Sequence, residues 1–290
     1  MSNAINNLED LASAVKKYAP NLSFTIFEIG ARYVEGRADS FYQLLDLFPK
    51  SRLVGFEADA EHCVVLNENA AENCEYYPTA IGGSNGEATF YEAVGAECGS
   101  LYKQNKTLID KFNALSEVME FKSEQKINVS TLDHFMEDKN FDSIDFIKMD
   151  VQGAELDVFK GGLLSLNELV FIVAEVQFVP LYEDVPLFGD LCKHLIERDY
   201  IFHKFIGMAG RTLKPITLRN DPFSGTQQLW ADAIFITDYS KLETLAPDKL
   251  LKLGISAFIY QSPDITFHCF KLYDDMQGTS LHKDLLGTNS

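Results

Sequence analysis

The sequence predicts an α/β protein built on a mainly parallel sheet. Three features lead there. Short apolar runs alternate with amphipathic stretches along most of the chain, the order that lays helices over a parallel sheet. One run, Leu169 to Val176, is almost wholly apolar, as a strand buried on both faces must be. Several runs are closed at once by a carboxylate or a glycine, at the strand ends where an open parallel sheet holds its ligands.

Each element follows from its residues. Leu8, Leu11, Ala12, Val15 and Tyr18 recur at helical spacing, and Pro20 ends that helix. Residues 1–22 therefore form an N-terminal helical segment. Phe24 to Ile29 is the first strand. Phe41 to Phe48 reads as helix and stops at Pro49. Arg52 to Phe56 is the second strand, followed by a helix from Ala60 to Asn73. Glu75 to Ile81 is the third strand, closed by Gly82 and Gly83, and Ala88 to Ala93 is a short extra one. Ala96 to Gln125 is irregular and is expected to cover a site or carry a helix. Leu132 to Glu137 makes a turn or two of helix. Ile144 to Met149 and Leu169 to Val176 are the next main strands, with a helix from Ala154 to Leu166 between them. Leu187 to Arg198 is helical. Tyr200 to Ile206 and Leu229 to Ile236 are the last strands, separated by a loop rich in Gly, Pro and Thr. Residues 23–240 thus read as one α/β domain. Residues 241–290 keep helical periodicity without a buried strand and read as a helical extension packed on the core, since about 50 residues would be marginal alone.

Composition narrows the function. The 290 residues carry 25 Lys and Arg against 43 Asp and Glu, a net charge of −18, with 46% hydrophobic residues. Wholesale disorder is excluded. A protein gripping nucleic acid through broad phosphate contacts is disfavoured, because that needs a basic face. The five cysteines, Cys63, Cys74, Cys98, Cys192 and Cys269, are scattered and form no CxxC pair. A disulfide framework or structural zinc site is therefore not expected. The first residues show no signal-peptide pattern, and the longest apolar run, Leu169 to Ala174, is too short to span a membrane. A cytoplasmic protein is expected.

The strand ends carry the chemistry. Glu28-Ile29-Gly30-Ala31-Arg32 follows the first strand, and Gly30 permits a tight turn or close approach of a ligand. The loop lacks the G-x-G-x-x-G that seats a pyrophosphate at a helix N-terminus. Glu57 closes the second strand, placed to accept hydrogen bonds from both hydroxyls of a ribose. It also reads as a helix-capping acid together with Asp59. A glycine after one strand and an acid after the next indicate a nucleoside; the missing glycines indicate one without phosphates, such as S-adenosylmethionine. Lys148-Met149-Asp150-Val151-Gln152-Gly153-Ala154-Glu155 follows. It places a lysine inside an apolar run and Asp150 at the strand end, facing a cofactor, a substrate or a metal. Glu155 reads as a carboxylate at a helix start.

The stretch from Ile127 to Gly162 resembles the hallmark of FkbM-type methyltransferases. Thr131-Leu132-Asp133 and Lys148-x-Asp150-x-Gln152-Gly153-x-Glu155 match the family pattern, except that Gln152 replaces its usual Glu. FEIGAR, LVGFEAD, TAIGGSNGEATFYEA and AEVQFVPLY resemble further family segments, in order, between Phe24 and Ile236. The resemblance implies a Rossmann-like class I methyltransferase fold, with a seven-stranded mainly parallel sheet and an antiparallel last strand. It makes 23–240 a methyltransferase domain. It implies S-adenosylmethionine as cofactor, held near Glu28, Gly30, Arg32, Glu57, Ala80, Ser100 and Asp150. It also implies O-methylation of a small-molecule or carbohydrate acceptor, and allows a homodimer. The first loop departs from the family, with Val34 where a glycine is usual and Gly36 two residues later.

Two ways of activating a hydroxyl acceptor remain open. Asp150 or His203 takes the proton, although a lone His among apolar residues is more often structural. Alternatively Asp150 and Glu175, ending neighbouring strands, bind a divalent cation such as Mg. Phe178, Tyr182 and Phe188 either line the acceptor pocket or pack the core. Specificity is expected in Ala96 to Gln125, in Gly207 to Gln228 and in the C-terminal helices. The competing readings are a non-catalytic nucleoside-binding module on the same fold and a nicotinamide-dependent oxidoreductase.

Overall fold

Strands form where β-branched and aromatic residues cluster. They are β1 (Thr25–Ile29), β2 (Arg52–Phe56), β3 (Cys74–Tyr77), β4 (Ala80–Ile81), β5 (Gly86–Ala93), β6 (Phe121–Ser130), β7 (Phe146–Met149), β8 (Phe171–Gln177), β9 (Tyr200–Arg211) and β10 (Gln227–Thr237). The computed structural model describes residues 7–32 and 39–286. Seven strands make the main sheet, in the order β3-β2-β1-β7-β8-β10-β9. β10 alone runs antiparallel to the rest. This is the class I methyltransferase order, and its direction of winding reverses between β1 and β7, the switch point at which such sheets hold ligands.

Three differences from the sequence expectation have physical causes. The run from Glu75 to Ile81 is split at Pro78: β3 stays in the main sheet, while β4 joins β6 and β5 in a separate three-stranded sheet. β6 starts inside the segment read as irregular, Ala96 to Gln125, and runs on to Ser130, where no strand was expected. Its residues are mostly exposed, so no apolar alternation advertises it. The helix expected over Ala154 to Leu166 spans only Glu155–Lys160. It is cut at Gly161, where any Cβ would sit 2.3 Å from the Gly82 carbonyl oxygen.

Each face of the main sheet buries its own cluster. On one face Phe27, Ile29, Ile147, Met149, Ile172 and Ala174 pack under the helices Leu132–Lys139, Glu155–Lys160 and Phe188–Ile196. On the other, Phe24, Ile26, Phe146, Phe171, Val173 and Ile234 meet the N-terminal helix Leu8–Tyr18 and the C-terminal helix Pro247–Ile259. Among the described residues no helix is long and apolar enough to cross a membrane.

Candidate active site

Period-two alternation explains where the site lies. On the face shared with the C-terminal helices, β1 reads Phe24, Ile26, then Glu28. β7 reads Phe146, then Lys148 and Asp150. β8 reads Phe171, Val173, then Glu175 and Gln177. Reading β10 backwards gives Ile236, Ile234, then Asp232 and Trp230. Each strand is apolar under the helices and turns polar at the carboxyl edge of the parallel strands. There the face opens into a cleft of about 1200 Å³. The register carries the polar row across the sheet: Glu28 pairs with Lys148 and with Gly55, Gly55 with Tyr76, and Asp232 with Glu175.

The charges are arranged around Lys148, which is 9% exposed. Its Nζ lies 3.2 Å from Asp232 Oδ1 and 3.7 Å from Asp150 Oδ2. Burial works against its charge, but the two carboxylates outweigh it and raise its pKa. Glu28 is buried and accepts a 2.7 Å hydrogen bond from Tyr42 Oη. Burial pushes its pKa up to about 7, against the Tyr42 hydrogen bond. Glu175 is pushed well above the usual carboxylate range, first by burial and then by Asp150 and Glu155.

Gln152, the residue that departs from the family pattern, ties the acids together. Its Nε2 donates to Asp150 Oδ1 at 2.7 Å and to Glu175 Oε1 at 3.0 Å. Tyr182 Oη donates to its Oε1 at 2.8 Å, and Ser100 Oγ to its carbonyl oxygen at 2.7 Å. An amide can face two carboxylates; a third carboxylate in its place would be repelled. Glu155 braces the same turn, accepting from the N–H groups of Val151 and Gly153 at 3.0 Å each.

The predicted residues divide plainly. Glu28, Gly30, Arg32, Glu57, Ala80, Asp150 and Glu175 all line the cleft. Glu57 Oε1 accepts from the Asp59 N–H at 2.8 Å, and its Oε2 stands 3.6 Å from His62 Nδ1. The capping of helix Ala60–Glu68 falls to Asp59, which accepts from the Glu61 and His62 N–H groups. Ser100 is buried behind the cleft as a support for Gln152. His203 is not brought to the cleft: its Nε2 lies 2.8 Å from Ser262 Oγ, beside the C-terminal helices. Phe178 and Phe188 pack with Phe205 in an aromatic cluster, and Tyr182 is fully buried. Val34 and Gly36 lie outside the described residues.

The donor set does not fit a divalent cation. The facing oxygens of Asp150 and Glu175 already take the Gln152 N–H groups, and an ammonium stands beside Asp150. Among the described residues no group of three or more His, Cys, Asp or Glu side chains could hold a metal ion. Mg is thus not supported.

Several cleft residues escaped the sequence reading. Asp232 gave the same signal as Lys148, a charge inside an apolar strand. Tyr42 and Tyr76 gave none. Gln177 and Arg211 also line the cleft, and Gln177 Oε1 and Arg211 Nε are buried without a hydrogen-bond partner among the described residues.

The sheet order and its cleft define the class of protein, a methyltransferase fold of class I. The methyltransferase FkbM domain family matches residues 28–202, more than half of the chain, and the chain belongs to that family. The 2-O-methyltransferase NoeI of Sinorhizobium fredii (strain NBRC 101917 / NGR234) is 32% identical over 145 residues. That stretch is 49% of this chain and 60% of NoeI, so the chain spans less than two thirds of this relative. Two solved structures are more distant. The plantazolicin methyltransferase BpumL, solved with a triazolic desmethylPZN analog and SAH, has 11% identity and a TM-score of 0.36, covering 80% of this chain and 83% of its own. EvdMO1 has 10% identity and a TM-score of 0.35, covering 83% and 46%. Nothing about the site follows from likenesses this weak.

Proposed function

We propose that the protein transfers a methyl group from S-adenosylmethionine to an oxygen atom of a small molecule or glycan. The observation that carries this reading is the convergence of Gly30, Glu57 and Asp150, from the ends of three adjacent strands, on one cleft. The cleft suits the cofactor. Gly30 has φ +82° and lets the turn after β1 pack against the Asp150 carbonyl oxygen at the switch point. Glu57 offers a carboxylate oxygen toward ribose hydroxyls, and Asp150 an acid toward an α-amino group. The bound cofactor supplies a sulfonium methyl group. Proximity and alignment provide much of the rate. Glu175 lines the cleft and its pKa is raised by burial and then by Asp150 and Glu155, which makes its carboxylate a stronger base toward the acceptor hydroxyl proton. Gln152 holds Glu175 beside Asp150, and Lys148 balances the cluster.

The walls agree with an acceptor site on the β8 and β10 side. Leu115, Val118 and Met119, from the segment before β6, and Arg211 and Phe223, from the β9–β10 hairpin, all line the cleft. The acceptor class follows that of NoeI only in kind, an oxygen methyl acceptor. A cytoplasmic location is part of the same reading, since five scattered cysteines without a CxxC pair suit a reducing compartment.

Melting with S-adenosylhomocysteine tests the reading. A ligand at about 100 times its Kd stabilises by about 2.7 kcal/mol, so wild type is expected to show a clear shift. Glu57→Ala is expected to lose most of it. No shift in wild type at millimolar ligand would overturn the proposal.

A further inference from the structure

Arg211 is the cleft residue whose own fold leaves it least satisfied. It ends β9 and its guanidinium lies between two aromatic rings, 4.4 Å from the centroid of Phe223 and 4.8 Å from that of Trp230. Such stacking fixes the plane of a guanidinium while leaving its edges free to donate. Its Nη1 donates to the Gly210 carbonyl oxygen at 2.8 Å. Its Nε is buried and makes no hydrogen bond among the described residues. No carboxylate pairs with it there, whereas Lys148 in the same cleft is balanced by Asp150 and Asp232. Burial lowers its pKa and outweighs the pull of Cys98 and Asp221, neither of which bonds to it.

The side chain is held on a firm base. The next residue, Thr212, donates its N–H to the Pro222 carbonyl at 2.9 Å, and its own carbonyl accepts from the Asn113 N–H at 2.9 Å. This joins the hairpin to the opposite wall. Across β10, Trp230 pairs with Gln177, whose buried Oε1 also lacks a partner. A buried donor left unmade costs about 1–3 kcal/mol, so two unmet polar groups in one cleft point to a ligand that meets them. The Nε–Nη2 edge of a guanidinium is the fork that takes two oxygens of a carboxylate or phosphate. In a chain of net charge −18, an unpaired arginine is also what lets an anion enter a cleft rich in carboxylates.

We propose that Arg211 receives an anionic group, a carboxylate or a phosphate, carried by the methyl acceptor, and so selects charged acceptors over neutral ones. Gln177 accepts from a neighbouring hydroxyl of the same molecule. The inference rests on the methyltransferase reading for the acceptor's place in the cleft.

The test uses the full chain loaded with S-adenosylhomocysteine and titrated calorimetrically with glucuronate, glucose 6-phosphate and glucose. At least one charged sugar is expected to bind at least about tenfold more tightly than glucose, and to weaken as salt screens the contact. Which of the two acids binds separates carboxylate from phosphate. Arg211→Met is expected to remove the preference, and Arg211→Lys, which keeps charge but loses the fork, to fall between. Equal binding of all three sugars, no binding of either acid, or an Arg211→Met variant that binds like wild type would each overturn the proposal. Should that variant not fold, the charged-over-neutral preference of wild type decides. The S-adenosylhomocysteine melting shift separates the two readings. If it persists while the preference is absent, the anion site alone falls; if it is missing in wild type, the methyltransferase reading falls.

Discussion

Glu28, Lys148, Asp150, Glu175 and Asp232 put four carboxylates around one buried ammonium, and one cation cannot neutralise four acids. Burial first, and the neighbouring acids after it, raise the pKa values of Glu28, Glu175 and Asp232. Glu28 shows the consequence. Its pKa rises from 4.5 to about 7, so between those values the folded state holds a proton that the unfolded state has lost. Stability therefore falls as pH rises through that window. Glu28→Gln removes the titrating group but keeps an oxygen for Tyr42. The variant is expected to match wild type near pH 4.5 and to exceed it at pH 8, by at most about 3.5 kcal/mol at about 1.4 kcal/mol per pKa unit. Urea melts across that range check it; a variant no more stable than wild type at pH 8 would contradict the burial account. The residues legible beforehand, Gly30, Glu57, Asp150 and Glu175, stand at strand ends, where position alone names the face. His203 sits in β9, whose pairing with β10 is broken by register shifts. There alternation does not report the face, and its ring turned out to meet Ser262. Arg211 lies beyond the expected end of its strand, and nothing local marks it.

At the scale of elements, the site depends on how closely β1 and β7 approach beyond their ladder. The Asp150 N–H donates to the Ile29 carbonyl at 2.9 Å, and the N–H groups of Gly30 and Ala31 donate to the Phe56 carbonyl at 3.0 and 2.8 Å. Three strand ends are thereby sewn together under the cleft. A Cβ on Gly30 would stand 2.0 Å from the Asp150 carbonyl oxygen, and its φ is +82°. Gly30→Ala must therefore push β1 from β7 or twist the turn. It is expected to cost about 3 kcal/mol or more in denaturant melts and to abolish the S-adenosylhomocysteine shift; a variant as stable as wild type would show that the turn relaxes freely. The Thr-Leu-Asp motif serves the same frame. Thr131 caps helix Leu132–Lys139 by accepting from the His134 N–H, and Asp133 accepts from the Leu164 and Ser165 N–H groups beyond the next helix. Main strands and helices were legible because their apolar periodicity is driven by burial. β6 was not, because an exposed strand needs no such pattern, and the Gly161 break was not, because it answers to a contact with distant Gly82.

Across the whole molecule, the C-terminal helices close one face of the sheet. Helix Pro247–Ile259 is buried along most of its length, and Leu250, Leu251, Leu253 and Ile255 share a cluster with Ile26, Phe146, Phe171 and Ile234. Charge fastens it as well. Asp145, 2% exposed at the base of β7, accepts from Lys249 Nζ and Lys252 Nζ at 2.9 Å each, and from the Thr25 N–H at 2.8 Å. The family match ends at residue 202, but the packing does not. Removing residues 247–286 would uncover one face of the strands that hold Glu28, Lys148 and Glu175. It would also leave Asp145 without either lysine, and a buried pair broken from one side costs about 3–5 kcal/mol, a large share of the about 5–15 kcal/mol that holds a domain folded. Exposed apolar surface adds about 25 cal/mol for each Å² uncovered. A chain ending at Ala246 is therefore expected to show no cooperative thermal transition by circular dichroism and to elute as aggregate. The milder Lys249→Met with Lys252→Met should lower the melting temperature while leaving a single transition. A truncated chain that melts cooperatively would show instead that residues 23–240 fold alone, with the helices as a dispensable cover.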